Sequence, residues 1–350
     1  MKLRASLILF CLLAVTSIIN SQQVISGRIT DAMNGQPIEG VNIMIANTTR
    51  GTASDESGNY QVTAPGDGIY EIIVSHVGYQ PVFYKIEEPK PFHQIDFSLD
   101  GLILPEIIIT PQRHFRKQDV ELFWLLLLGV KQSKKGLEVL NPEKVYFNLT
   151  ADSILFAFCD EPIEIINHET GYLIRYVLES FRHDYRSDVN VFNGRHVFFE
   201  LTPRNNIQRR SWTVNRRKVY AISVTHFIRS IFRDQLLENG FLLTKNDSLK
   251  QDNYTFFPIR NALQADGAQV LFTTDSPLYL ACFSMPVNNR MIESVGYSMF
   301  AGNEEFPVVK LLPQQITIFP DGTYKGLMKT EFIRDNISGL WAKLPVEYNL

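Results

Sequence analysis

Seven histidines are the first residues to test for chemistry, because a metal-bound water needs imidazoles and a carboxylate at fixed spacing. None of the seven is followed by Glu three positions on, and no His-Glu-x-x-His run occurs. His93 with Asp96 copies the spacing with the shorter acid, inside a strand-like run. Serine and cysteine nucleophiles fare no better, since neither a Gly-x-Ser-x-Gly elbow nor a catalytic-cysteine signature is present. What remains is Ser223, His226 and Arg229, spaced by three so that they share one face of a helix. An exposed polar stripe or a packing contact is the common fate of such a set, and it is kept here as a candidate functional position. A hydrolase using His226 with Asp184 or Glu179 is the enzymatic alternative, its site falling within 141–350.

A second group is basic: Arg204, Arg209, Arg210, Arg216, Arg217 and Lys218, with Trp212 among them. Arginine interleaved with an aromatic can pair with phosphates or stack on bases. The formal net charge of −3 does not resemble that of a duplex binder. Arg209, Arg210 and Trp212 are therefore read as a site for an acidic partner or anionic headgroups, or as a solvated helix start. No nucleic acid partner and no cofactor are expected.

The elements that must position these residues follow from length and patterning. A chain of 350 residues suits two domains, and 45% hydrophobic with 20% charged residues is a globular composition. Aromatics at 12% favour strands. Residues 1–21 read as a signal peptide: Lys2 and Arg4, an apolar run from Ala5 to Ile19, then small or polar residues before Gln22. Cys11 follows Phe10 within that run, which does not suit an acylated cysteine. Its removal leaves Cys159 and Cys282, as a disulfide or as two buried thiols.

From Val24 the pattern alternates, with turns at Asn34-Gly35, Asp55 to Asn59 and Gly78 to Pro81, giving several short strands at regular spacing, as in a small β-sandwich. Residues 104–140 read as a linker carrying the apolar run Asp119–Val130, too short to span a bilayer and better suited to a buried helix, so no transmembrane helix is expected in the mature chain. From 141 to 350 strand patterning returns, with turn signals at Asn193-Gly194 and Asp321-Gly322 and one long helix over Asn215 to Asn239. The fold class expected is mainly β, a sandwich over 22–103 followed by a β-rich α+β domain.

The succession SGRITD, GQPIEGVNIMI, RGTASDESGNYQV and Y-x-I-x-V-S-H-V-G-Y resembles the carboxypeptidase-regulatory-like domain, which implies a seven-stranded transthyretin-like sandwich over about 24–100. Leu104 to Thr110 resembles the segment after that domain in TonB-dependent receptors, but the remaining chain is too short for a plug and a large barrel. LNPEKVYFNL, PIEIINHETGYLIRYVLESF, YAISVTHFIRSIF with ENGF, and LWAKLPVEY are similar to the C-terminal region of carboxypeptidase-like regulatory domain-containing proteins of Bacteroidetes. That resemblance implies export to the periplasm or the outer membrane, and no particular reaction. Asp152-Ser153-Ile154 and Asp247-Ser248-Leu249 are similar to Bacteroidetes O-glycosylation sites. The function expected is a non-enzymatic envelope protein that binds an envelope protein or glycan, with exposed aromatics such as Trp212, Tyr297 or Trp341 as the first binding face to inspect.

Overall fold

The structure is a computed structural model that describes residues 22–101, 116–129, 136–187, 189–245, 257–282, 308–326, 328, 330–334 and 343–348. The segments 1–21 and 104–110, Tyr297 and Trp341 lie outside the described residues.

The first eight strands are β1 (Val24–Asp31), β2 (Asn42–Ile45), β3 (Gly51–Ala53), β4 (Asn59–Thr63), β5 (Glu71–Ser75), β6 (Val82–Lys85), β7 (Phe92–Gln94) and β8 (Phe97–Leu99). They form two sheets, β3-β2-β5-β6 and a second in which β4, β7 and β8 all pair with β1. The alternation read from the sequence turns Ile25, Ile29, Ile43, Ile45, Ile72 and Val74 inward, each fully buried. β7 and β8 both run parallel to β1 and are one strand interrupted at Ile95–Asp96. There Ile95 N donates to Ser26 O (2.8 Å), and the Asp96 carboxylate takes the Arg28 N–H (2.8 Å). Gly27 is required at this crossing, since a Cβ would stand 1.7 Å from Ile95 O. The eight segments thus follow a seven-strand path, and the expected sandwich is what the chain forms.

Helix α1 (Lys117–Leu128) starts where the Asp119 carboxylate accepts Arg116 N (2.7 Å) and ends on Gly129 at φ +79°. It buries Phe123, Leu127 and Leu128, with the Phe123 ring set edge-on to Phe147 and Phe181 at 5.3 and 5.0 Å. Among the described residues no helix is long and apolar enough to cross a membrane.

The surface α1 packs on is a six-stranded antiparallel sheet: β9 (Leu137–Val139), β10 (Val145–Leu149), β11 (Ile154–Cys159), β12 (Ile163–Asn167), β13 (Tyr172–Asp184) and β14 (Val189–Glu200). β13 is long enough to pair with β12 along its first half and β11 along its second, while β14 lies along its other side. Asn193-Gly194, expected as a hairpin turn, lies inside β14 instead. Gly194 is there for close approach: a Cβ would sit 2.3 Å from the Tyr176 ring, opposite the irregularity between Leu178 and Ser180.

The single helix expected over Asn215 to Asn239 is two helices, α2 (Asn206–Ala221) and α3 (Val224–Phe232). Asn205 caps the first by accepting Gln208 N (2.9 Å), and Ser223 caps the second by accepting His226 N (3.1 Å). The remaining strands are β15 (Phe241–Thr244), β16 (Leu263–Asp266), β17 (Gln269–Thr274), β18 (Leu278–Cys282), β19 (Val308–Leu311), β20 (Gln314–Ile318), β21 (Tyr324–Lys325) and β22 (Thr330–Arg334). They make two four-stranded sheets, β15-β18-β19-β22 and β16-β17-β20-β21.

Most of the buried apolar side chains described after residue 116 divide between two cores. One lies between α1 and the six-stranded sheet, with Val219, Tyr220 and Leu344 added; the other joins α3 to the last two sheets. Cys159 packs beside the first and Cys282 within the second, so the two thiols are free and apart. Burial raises both, Cys282 to about 12.

Candidate functional site

Ser223, His226 and Arg229 do fall on one face, and that face is turned inward. The Ser223 hydroxyl is spent on the cap. The His226 ring lies 4.5 Å from the Tyr220 ring and 5.1 Å from Phe241, with Nδ1 against Ala221 O at 3.2 Å. Burial holds its pKa below the ordinary histidine value. Arg229, 7% exposed, is a hub: Nε donates to Asp321 O (2.9 Å), Nη1 to Tyr220 OH (3.0 Å) and Tyr348 O (2.8 Å), and Nη2 to Val346 O (2.6 Å). The guanidinium thus ties the C-terminal segment 343–348 to α3 and to the β20–β21 turn.

The acids that would complete a hydrolase with His226 are engaged elsewhere. Asp184 accepts Arg186 N at 2.9 Å, and Glu179 pairs with Arg195. His93 contacts Gln23 Oε1 at 3.2 Å while Asp96 serves the β1 backbone, so that pair does not converge either. Among the described residues no three His, Cys, Asp or Glu side chains gather as metal ligands would.

On α2, Arg209 and Arg210 are exposed, as expected of a basic face. Trp212 is not: it is 6% exposed, its Nε1 donates to His168 O (2.8 Å), and its ring packs so tightly on Gly171 that a Cβ there would be 2.3 Å away. It pins α2 to the β12–β13 turn and offers no binding surface. Arg216 joins it, lying 4.1 Å over Tyr172, donating to Thr170 O (2.6 Å) and pairing with Glu200 (2.6 Å).

What sequence reasoning missed is the seam between the sandwich and the rest of the chain. Arg195 of β14 pairs with Glu71 of β5, Nη2 donating to Oε1 (2.8 Å) and Nε standing 2.6 Å from Oε2, and lies 4.3 Å over Phe83. Beside it Val197 is buried with Ala46 and Ile73. Asn47 N donates to His196 O (2.7 Å), Phe198 N to Thr48 O (2.9 Å) and Val346 N to Asn47 O (2.8 Å). Glu347 accepts Thr49 N (2.6 Å) and the Thr49 hydroxyl. The His196 ring faces Tyr176 and Phe198, and burial first, then Lys343, takes its pKa down to about 3, so it is neutral.

A second line of contacts reaches the last sheets. Tyr70 OH donates to Asp321 Oδ2 (2.5 Å), Thr323 Oγ1 accepts Ile69 N (3.1 Å), and Lys325 pairs with Glu87 (2.9 Å). Gly68 permits the approach, since a Cβ would lie 2.1 Å from both Asp321 and Thr323 side chains. The Gly66-Asp67-Gly68 run was the available signal, and a turn explains it equally well from sequence.

Next to these contacts opens a cleft of about 840 Å³, walled by Glu87 to Pro91 on the sandwich and by the Asp266–Gln269 hairpin with Phe319 and Pro320 opposite. Of its charged groups, Glu87 pairs with Lys325 (2.9 Å) and Glu88 with Lys90 (3.2 Å), while Asp266 accepts Gln269 Nε2 (3.2 Å), so acidic side chains outnumber basic ones on its walls. At the floor, Gln23 is 1% exposed and donates to Gly66 O (2.9 Å) and Gly68 O (2.6 Å).

The model of the CarboxypepD_reg-like domain matches residues 25–108. The sandwich is a CarboxypepD_reg-like domain. Over 102 residues the chain is 32% identical to TonB-dependent receptor SusC of Bacteroides thetaiotaomicron, covering 29% of this chain and 10% of the receptor. It is 27% identical over 119 residues to TonB-dependent receptor P3 of Formosa agariphila, covering 34% of this chain and 12% of the receptor. The chain spans about a tenth of the length of these curated relatives. Among solved structures, the major pilin subunit BcpA of Bacillus cereus is 14% identical with a TM-score of 0.20, covering 23% of this chain and 30% of the pilin. TonB-dependent receptors carry a CarboxypepD_reg-like domain as well.

Proposed function

We propose that this protein is an exported, non-enzymatic component of the cell envelope, in the periplasm or on the outer membrane, and that it binds an envelope glycan in the cleft between the CarboxypepD_reg-like domain and the last two sheets. The observation that carries this reading is the cleft itself, formed jointly by two units held in register by Tyr70–Asp321 and Lys325–Glu87. Sites of this kind concentrate at junctions between units. The walls carry more acidic than basic side chains together with Gln23 and Gln269, which suits a neutral ligand rich in hydroxyl groups better than an anion. His226, Asp184 and Glu179 each hold other partners, which favours binding over hydrolysis.

The test is calorimetric titration of the mature chain with neutral polysaccharide fractions from an envelope extract. The Glu88→Ala and Gln269→Ala variants are expected to weaken binding by about tenfold or more, with unchanged unfolding midpoints. Binding that ignores both substitutions, or no binding by any fraction, overturns the reading.

A further inference from the structure

Helix α2 is basic throughout and contains no acid: it carries Arg209, Arg210, Arg216, Arg217 and Lys218, and Arg204 stands just before it. Arg216 is spent inside the fold, on Glu200 and Thr170 O. Among the described residues, Arg204, Arg209, Arg210, Arg217 and Lys218 are exposed and hold no ion pair. Two aliphatic side chains stand among them, Ile207 at 81% and Val214 at 48% exposure. Steps of three and four residues place Ile207, Arg210, Val214, Arg217 and Lys218 on one face of the helix. Trp212, Val219 and Tyr220 are buried on the opposite face, so the packing that fixes α2 also holds the cationic face outward.

We propose that this face of α2 docks on a membrane surface that carries anionic phospholipid, lying along the headgroups without crossing the bilayer. Charge complementarity is the first argument, since every unpaired cation near an anionic headgroup layer adds to the attraction and α2 has no acid to oppose it. Because the whole chain has a formal net charge of −3, that attraction must come from a local face, and it orients the molecule with α2 against the lipid. The second argument is the aliphatic pair. At the headgroup boundary Ile207 and Val214 leave water while the arginines beside them reach phosphates, which an acidic polypeptide satisfies only in part. The third is that no side-chain hydrogen bond holds these cations among the described residues, so no rigid fork is built for a single anion. A layer of mobile headgroups needs none. From Ile207 to Lys218 the face runs about 17 Å at roughly 1.5 Å per residue, and none of its residues lines the cleft.

The probe is vesicles of phosphatidylcholine, alone or with about one third phosphatidylglycerol, sedimented with the mature chain at low salt. The chain should pellet with the anionic vesicles and stay in solution with the neutral ones, and about 0.5 M salt should release it. Arg210→Glu combined with Arg217→Glu should weaken vesicle binding by about tenfold or more. Ile207→Gln combined with Val214→Gln leaves the charge as it was and should weaken binding by about fivefold or more. All four side chains are exposed, so far-ultraviolet dichroism and the unfolding midpoint should match those of the parent chain, which reports that α2 still forms. No preference for the anionic vesicles, or binding that ignores the charge reversal, would overturn the proposal. Binding that falls with charge reversal but ignores the glutamine pair, with polyglutamate bound as tightly as the vesicles, would assign the face to an acidic polypeptide and overturn it equally. None of these readouts uses polysaccharide, so they stand apart from the glycan titration.

Discussion

Arg229 shows how a residue type that suggests chemistry can be consumed by architecture. Five donors in a planar fork are what an anion site needs, and they are also what a chain crossing needs when several carbonyls converge. Here the fork takes Asp321 O, Val346 O, Tyr348 O and Tyr220 OH, while the side chain is almost wholly buried. Truncating it to Ala leaves three carbonyls without their donor in a closed site. Arg229→Ala is expected to destabilise the protein by about 3–5 kcal/mol, and Arg229→Lys by less because one ammonium reaches only part of the set. Urea unfolding measures this; a loss below about 1 kcal/mol would mean that the hub is not structural. The i, i+3 spacing with His226 and Ser223 was legible in the sequence. Its inward direction was not, because it depends on Tyr220, Phe241 and the C-terminal segment, brought together only by the fold.

At the scale of elements, local signals succeeded where one strand or turn could be decided by itself and failed where two elements meet. The alternation of Ile25, Ile29, Ile43 and Ile45 marks the sandwich core directly. Asn193-Gly194 misleads because turn chemistry and close approach both call for glycine, and only the position of Tyr176 distinguishes them. The helical periodicity across Asn215 to Asn239 hides its break because Val219, Phe227 and Ile231 keep a common spacing on either side, although they serve different cores. Ser223 gives the discriminating measurement. In the interior of one continuous helix, Ser→Ala would stabilise by about 0.5 kcal/mol; at the N-cap of α3 it should cost about 1 kcal/mol, and Ser→Gly only a few tenths. The sign of the Ser223→Ala change in chemical unfolding therefore tells one helix from two. A stabilising value would refute the cap.

For the molecule as a whole, the question is whether the CarboxypepD_reg-like domain is an appendage or a wall of the same body. Linked domains with small polar contacts move independently by default. This seam is of another kind: an Arg195–Glu71 ion pair, backbone bonds from Asn47 and Thr48, and Tyr70 and Glu87 reaching the last sheets. None of it could be read from the chain, since each partner is an ordinary polar residue until the units meet. The three tryptophans, Trp124, Trp212 and Trp341, all lie outside the sandwich, so their fluorescence follows the remainder while far-ultraviolet dichroism follows both. In the parent chain the two signals should trace one unfolding curve. Arg195→Ala strips the cation from between Glu71 and Glu179 and exposes Phe83, an expected loss of about 2–3 kcal/mol at the seam. The dichroism curve should then gain an earlier step, as the sandwich melts while the tryptophans remain in place. If the parent chain already shows two steps, the seam does not couple the units, and the cleft between them lacks the fixed walls that binding there requires.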